Sequence, residues 1–142
     1  PWKYAALAAK IRDVLRAGRI VARSLLVDDE QMNLNVGTEY LEEFGVKVET
    51  AESAEEAMNK LKLGNGEIEA AIIDLGLPDR KGDALVGEVR AMYPSLPIVV
   101  ASGRQDEALK TRFKSDELVS FLDKPYNAAQ LRSLLRSLLE RI

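Results

Sequence analysis

The chain is 142 residues long, carries a net charge of −3 and contains neither cysteine nor histidine. Its length suits one domain with a real hydrophobic core, and its composition excludes disulfides, cysteine nucleophiles, imidazole bases and Cys/His zinc sites. No apolar run is long enough to cross a bilayer and no signal-peptide pattern is present, so we expect a cytoplasmic protein that does not bind membranes.

Charge is divided unevenly along the sequence. Residues 1–23 contain six Lys or Arg and one acid, a net charge of +5, whereas the remaining residues have a net charge of −8. The basic residues alternate with alanines and aliphatic residues, which favours a solvent-exposed helix face over a nucleic-acid arm. The acidic remainder argues against nucleic-acid binding by the main domain.

The opening segment, residues 1–17, has the spacing of an amphipathic helix. It aligns without gaps beneath the end of the chain, with Pro1 on Pro125. This match predicts the last helix of an upstream copy of the same kind of domain, followed by a linker at 18–23 and the main domain at 24–142. A generic amphipathic helix is the alternative. Its apolar stripe would need cover, so we expect packing on the domain or on a second copy, as in a homodimer.

From residue 24 onward, short apolar strands alternate with amphipathic helices. The pattern predicts strands at 24–28, 46–51, 68–74, 97–102 and 118–123. It predicts helices at 36–44, 54–63, 85–92, 105–114 and 128–142. Five strands alternating with five helices predict an α/β fold, in which a doubly wound parallel sheet is covered on both faces.

Specific residues mark the ends of two predicted helices. Gly45 supplies a stop for the first helix. Ser53, with Glu56 three residues later, resembles a capping box at the start of the second helix. These signals place the helix boundaries independently of the apolar pattern.

Polar and charged residues follow the carboxyl ends of the predicted strands, where open parallel sheets bind their ligands. Taken singly, each has an ordinary explanation, such as a solvated turn or a helix cap. Taken together at successive strand ends, they indicate a functional site. They are Asp28, Asp29 and Glu30 after the first strand, Asp74 after the third, Ser102 after the fourth and Lys124 after the fifth.

This combination of side chains suits phosphoryl chemistry. Clustered carboxylates form a site of hard oxygen ligands for Mg²⁺, which also takes phosphate oxygens. Lysine places a positive charge on a phosphoryl group, and a hydroxyl donates a hydrogen bond to it. A carboxylate can also act as a covalent nucleophile.

Four sequence motifs occur in order: LLVDDE at 25–30, IIDLGLPDRKGD at 72–83, VVASG at 99–103 and FLDKP at 121–125. With this order and spacing, residues 24–142 resemble the response-regulator receiver domain of two-component signalling. The resemblance implies a flavodoxin-like sheet of strand order 2-1-3-4-5, here with an extra N-terminal helix. It also implies a phosphoacceptor domain rather than an enzyme, with a histidine kinase or histidine phosphotransfer protein as its partner.

The resemblance assigns roles to the acidic residues. It implies that Asp74 accepts the phosphoryl group in a phosphorelay. Asp29 would bind Mg²⁺ directly and Asp28 would help through a water molecule. Asp74 and the backbone carbonyl of Gly76 would complete the protein ligands of the cofactor.

The remaining assignments concern the phosphoryl group and the response to it. Ser102 and Lys124 would bind the phosphoryl oxygens, and Phe121 matches the position of an aromatic switch. Gly76 and Arg104 occupy positions that vary within the family, and either could alter the lifetime of the phosphorylated state.

Two other functions compete with this interpretation. A haloacid-dehalogenase-type phosphatase also forms an aspartyl phosphate, but it needs a second Asp where this chain has Gly76, so we reject it. A degenerate receiver that serves only as a protein-interaction module is the remaining alternative. Such domains typically lose the acidic pair, the phosphoacceptor or the lysine, and all of these are present here.

One further pattern bears on the parent protein. Asn33 and Val36 resemble the D-D-x-x-x-N-x-x-V pattern frequent in receivers of hybrid histidine kinases. The last predicted helix runs to the end of the sequence at Ile142, which suggests a stand-alone receiver or a receiver cut from a longer chain. A hybrid kinase and a tandem-receiver protein are both possible parents.

Overall fold

The computed structural model describes residues 23–43, 45–64, 67–79, 81–102, 107–124 and 126–139. In these residues there are five strands: β1 (Arg23–Val27), β2 (Lys47–Ala51), β3 (Ala70–Asp74), β4 (Ile98–Ser102) and β5 (Val119–Asp123). The helices are α1 (Gln31–Glu43), α2 (Ala54–Leu63), α3 (Gly82–Met92), α4 (Glu107–Arg112) and α5 (Ala128–Leu139). The helix predicted at 1–17 lies outside the described residues.

All five strands are parallel and pair in the order β2-β1-β3-β4-β5. The predicted doubly wound sheet and its strand order are therefore confirmed. Helices α2 and α3 pack on one face of the sheet, and α1 and α5 pack on the other. Among the described helices, none is long and apolar enough to span a bilayer.

The central strand shows why the sheet needs apolar residues on both sides. All five residues of β3 are buried. Ile72 packs in the core beneath α1 and α5, whereas its neighbour Ile73 packs in the core beneath α2 and α3. Because successive strand residues point to opposite faces, a strand covered on both faces is apolar throughout. Asp74, at the carboxyl end, is the exception in this strand.

The two predicted helix-end signals have the expected local geometry, although several helices begin or end at other residues than the apolar pattern predicts. Gly45 has a φ of 78° and ends α1, because this left-handed conformation costs glycine little. Its N–H donates to the carbonyl of Glu42, and the next N–H, that of Val46, donates to the carbonyl of Leu41. At the start of α2, the Ser53 hydroxyl accepts a hydrogen bond from the Glu56 N–H at 3.1 Å.

An ion pair lies at the amino-terminal edge of the sheet. Nε of Arg90, near the end of α3, lies 2.6 Å from Oδ2 of Asp116, in the turn before β5. The same guanidinium donates to the carbonyls of Tyr93 and Leu118. The side chains of Arg90 and Asp116 are only 17% and 23% exposed. The pair therefore joins α3 to the segment that enters β5.

We expect Arg90→Met to lower the free energy of unfolding by about 2 kcal/mol, because it removes the charge that pairs with the shielded Asp116 carboxylate and a donor to two carbonyls. Arg112→Met is the matched control, since Arg112 pairs with Asp83 where the side chains are 52% and 44% exposed. Its cost should be about 1 kcal/mol or less. Urea unfolding of both variants measures the difference, and equal costs would contradict the prediction.

Candidate functional site

Three carboxylates meet at the carboxyl edge of the sheet. Oxygens of Asp28, Asp29 and Asp74 all lie within 4.8 Å of one another. Strands β1 and β3 are neighbours, with Val27 opposite Ile73, so their ends bring Asp28 next to Asp74. Asp28 and Asp74 are buried, whereas Asp29 is exposed. The cluster is thus set into the sheet edge and reaches solvent at Asp29.

Lys124 brings a positive charge into this cluster. It follows β5 directly, and its Nζ lies 2.9 Å from Oδ1 of Asp74 and 3.4 Å from Oδ2 of Asp28. Because β4 lies between β3 and β5, the lysine side chain must reach across the end of β4. One ammonium group therefore serves two carboxylates.

Backbone hydrogen bonds fix Asp28 in this arrangement. Its Oδ1 accepts a hydrogen bond from the N–H of Glu30 at 3.0 Å, and its own N–H donates to the carbonyl of Ala51 at 3.0 Å. Glu30 therefore contributes its backbone to the site. Its side chain is exposed, and among the described residues the carboxylate cluster comprises the three aspartates alone.

The surroundings of Asp74 raise its pKa above the ordinary value of 3.8. Burial is the largest cause, because it disfavours the charged form, and the negative charge of Asp28 acts in the same direction. The hydrogen bond and charge of Lys124, together with the N–H of Gly76, oppose the rise without cancelling it. One lysine does not neutralise this pair of buried carboxylates.

The pKa of Lys124 is also raised, although burial alone would lower it. The hydrogen bond and negative charge of Asp74, followed by those of Asp28, outweigh the burial. Lys124 therefore remains protonated at neutral pH. Its stabilising contribution is present below the unfolded-state value of 10.5 and is lost only as the pH rises past the folded-state pKa.

The other sequence-predicted residues lie at the same edge or just behind it. Gly76 is exposed and its N–H donates to the Asp74 carboxylate. Ser102 is the last residue of β4, where its backbone lies opposite Asp123. Phe121, in β5, is half-buried against the core beneath α2 and α3. Arg104 lies outside the described residues.

Sequence reasoning did not assign a role to Tyr126, two residues after Lys124. Its ring packs edge-to-face on Tyr40 of α1 with 6.1 Å between ring centroids, and burial raises its pKa. Both tyrosines line a cleft of about 480 Å³ that adjoins the acidic cluster and has exposed Met32 at its rim. The lining residues are Asp28, Met32, Asn33, Val36, Tyr40, Lys124 and Tyr126.

The acidic cluster fits a divalent cation of the magnesium type. Carboxylate oxygens are the ligands that Mg²⁺ prefers, and Mg²⁺ usually retains several of its own waters. The exposed side of the cluster, at Asp29, leaves room for such waters. The charges also agree, since in the described part of the chain three carboxylates lie together and the ammonium group of Lys124 contacts two of them.

Comparison with known proteins gives a consistent result. The family model of the response regulator receiver domain matches residues 24–136. Sensor kinase CckA of Brucella abortus strain 2308 is 30% identical over 139 residues, which cover 96% of this chain and 15% of CckA. Transcriptional regulatory protein KdpE of Staphylococcus aureus is 34% identical over 95 residues, 67% of this chain and 39% of KdpE. The chain thus spans less than half the length of either relative.

Solved structures share the same fold. The crystal structure of a response regulator receiver protein from Pseudomonas putida superposes with a TM-score of 0.73 at 30% identity, covering 81% of this chain and 95% of that one. The chemotaxis protein CheY4 of Vibrio cholerae gives a TM-score of 0.75 at 27% identity, covering 83% of this chain and 98% of CheY4. In both cases the matched region covers nearly the whole length of the solved structure.

The raised pKa of Asp74 predicts how stability depends on pH when no divalent cation is present. Between its unfolded value of 3.8 and its higher folded value, the folded chain binds more protons at Asp74 than the unfolded chain does. The free energy of unfolding therefore loses a contribution as the pH rises through this window. The asparagine in Asp74→Asn does not titrate, so this variant does not lose that contribution. Its free energy of unfolding, relative to that of wild type, should therefore increase with pH.

Urea unfolding with EDTA, at pH values from about 4 to neutrality, measures this difference. Asp123→Asn is the control, because Asp123 is an exposed carboxylate at the end of β5. A constant difference between Asp74→Asn and wild type across the window would show that the pKa of Asp74 is not raised.

Proposed function

We propose, because this chain belongs to the response regulator receiver domain family, that Asp74 accepts a phosphoryl group from a phosphohistidine donor. The observation that carries the proposal is the 2.9 Å contact of Asp74 with Lys124 inside a cluster of three carboxylates. The sequence contains no histidine, so the phosphorylated imidazole must belong to a partner or to another part of the parent protein. A histidine kinase or a histidine phosphotransfer protein fits this requirement.

The transfer exchanges one bond to phosphorus for another. A carboxylate oxygen of Asp74 forms a bond to the phosphorus while the bond from phosphorus to the donor imidazole nitrogen breaks. The imidazole leaves with the electron pair and is protonated. Such a transfer depends on positioning and charge stabilisation rather than on a general base. The lack of an imidazole base in this chain is therefore no obstacle.

Several features of the chain support Asp74 as the acceptor. A Cβ atom at position 76 would contact Oδ2 of Asp74 at 3.6 Å, so the absence of a side chain on Gly76 leaves this side of the carboxylate uncovered. Lys124 stays charged and can move its hydrogen bond from the carboxylate to the oxygens of the new phosphoryl group. Ser102, at the end of β4, takes the role of a hydroxyl donor to the same group. These contacts would stabilise the charge that the transfer brings in.

Mg²⁺ is the cofactor that the acidic cluster fits. Asp28, Asp29, Asp74 and the carbonyl of Gly76 would hold it, with Asp28 acting through a water molecule. When bound, the cation supplies positive charge to the oxygens of the incoming phosphoryl group. Lys124 contributes the only other positive charge that contacts these carboxylates in the described part of the chain.

The response to phosphorylation would pass through Phe121 and β5. Phe121 is half-buried in the strand that ends just before Lys124, so a change at Lys124 can reach its ring through the backbone. We expect the signal on the face built from α4, β5 and α5, with Arg104 adjusting the lifetime of the phosphorylated state. The chain would thus act as a cytoplasmic signalling domain and not as a classical enzyme.

A hybrid histidine kinase is the parent that we favour. The match to sensor kinase CckA covers 96% of this chain, which is more than the 24–136 matched by the family model. Residues 1–17 would then belong to the parent upstream of the receiver, with 18–23 as a linker. The interaction-only alternative receives less support, because the pair of Asp74 and Lys124 is intact.

Phosphorylation of Asp74 can be tested by intact-mass measurement after incubation with acetyl phosphate and Mg²⁺. Wild type should gain one phosphate, and Asp74→Asn should gain none, because an amide oxygen is a poor nucleophile. Asp123→Asn should behave as wild type, since its carboxylate is exposed at the same edge but outside the cluster. Stable stoichiometric labelling of Asp74→Asn would refute the assignment.

Binding of Mg²⁺ by Asp29 can be tested through thermal stability. A cation that binds only the folded chain, and is present at a concentration ten times its dissociation constant, raises the free energy of unfolding by about 1.4 kcal/mol. We expect Mg²⁺ to raise the melting temperature of wild type and of Glu30→Gln, but not of Asp29→Asn. An equal rise in Asp29→Asn would remove Asp29 from the metal ligands.

A further inference from the structure

The loop that follows β3 is bound at its far end to the first turn of α2. Oδ1 of Asp79 accepts a hydrogen bond from the N–H of Ala54 at 2.9 Å, and Oδ2 accepts one from the N–H of Glu55 at 3.0 Å. Asp79 lies 25 and 24 residues away from these partners in the sequence. The contact therefore joins two separate segments of the fold.

Asp79 supplies hydrogen-bond acceptors to the first turn of α2. The first N–H groups of a helix have no partner within the helix, and the positive end of the helix dipole favours a carboxylate. The hydroxyl of Ser53, the local cap, accepts a hydrogen bond from the N–H of Glu56. Asp79 binds the two N–H groups before it. Removing the Asp79 carboxylate would leave both without these acceptors and would release the loop.

The near end of the same loop forms part of the acidic site. It begins directly after Asp74, and the N–H of Gly76 donates to the Asp74 carboxylate. Leu77 is buried in the core beneath α2 and α3. Gly76 itself has no side chain to anchor it. The place of its backbone therefore depends on its neighbours, namely Leu75 and Leu77 through packing and Asp79 through hydrogen bonds.

The partner of Asp79 is itself fixed to the sheet. Helix α2 follows β2, and the last residue of β2, Ala51, accepts a hydrogen bond from the N–H of Asp28 at 3.0 Å. Because β1 lies between β2 and β3, the contact from Asp79 to α2 spans the end of β1. That end carries Asp28 and Asp29. The hydrogen bonds of Asp79 and Asp28 thus attach the loop and the carboxylates of the site to two consecutive elements, α2 and β2.

We propose that Asp79 is a positioning residue of the acidic site. By binding the first turn of α2, its carboxylate holds the loop at 75–79 so that the Gly76 backbone stays against Asp74. The consequence for cation binding rests on the proposed function, in which the Gly76 carbonyl is a ligand. The consequence for the Gly76 N–H does not, because that hydrogen bond forms in the protein alone.

The test compares Asp79→Ala with Ser53→Ala in the full 142-residue chain. Both substitutions remove a cap from the same helix, but only the first releases the loop, so both should lower the melting temperature. In the absence of divalent cations, we expect faster amide hydrogen exchange at Gly76 in Asp79→Ala alone. Calorimetric titration with Mg²⁺ should show affinity weakened on the order of tenfold in Asp79→Ala and unchanged in Ser53→Ala.

Asp79→Asn provides a graded check and a fallback if Asp79→Ala does not fold. The asparagine side chain retains one carbonyl acceptor. The Gly76 exchange rate and the Mg²⁺ affinity of Asp79→Asn should therefore lie between those of Asp79→Ala and wild type, or match wild type if one acceptor is enough to hold the loop. The proposal is overturned if Asp79→Ala, or Asp79→Asn in its place, matches Ser53→Ala in both measurements. If wild type binds no Mg²⁺, the proposed function fails, and the exchange rate at Gly76 alone decides the positioning role.

Discussion

The ion pair between Lys124 and Asp74 is the interaction on which the acidic site depends. Asp28 and Asp74 are buried side by side, and burying carboxylates is costly unless a cation or hydrogen-bond donors accompany them. The single ammonium of Lys124 contacts both, at 3.4 and 2.9 Å. Breaking such a pair by removing one partner costs far more than the pair contributes, because the remaining charge is left buried. Lysine and carboxylates therefore have to be present together.

The strand order explains how residues distant in sequence reach this pair. The chain leaves β1 toward β2 on one side, and β3 then pairs on the other side of β1. A crevice forms at the carboxyl end where the order reverses, and ligands bind there in open parallel sheets. Asp28 and Asp74 stand on the two sides of this point. Lys124 comes from β5, and its long side chain covers the extra distance across β4.

Much of this arrangement follows from local features of the sequence, and some of it does not. Buried parallel strands are apolar throughout, so the strands and the acids after them could be located, and Gly45 has the left-handed φ expected of a helix stop. Ile68 was predicted within β3 but precedes it, because an apolar residue signals burial rather than strand pairing. Helix α1 begins at Gln31, before the apolar pattern starts. The bonds of Asp79 to α2 depend on tertiary contact, for which the sequence carries no periodic signal.

The charge imbalance at the site bears directly on the proposed function. The pKa of Asp74 is raised even though Lys124 touches it, which means that burial and the charge of Asp28 exceed what one lysine offsets. A phosphoryl group on Asp74 would add negative charge to a cluster that already has too much. A bound divalent cation would remove that excess, so cation and phosphoryl group should each favour the other by the same coupling free energy. Under the proposed function, this excess of negative charge would make acceptance of a phosphoryl group depend on the cation.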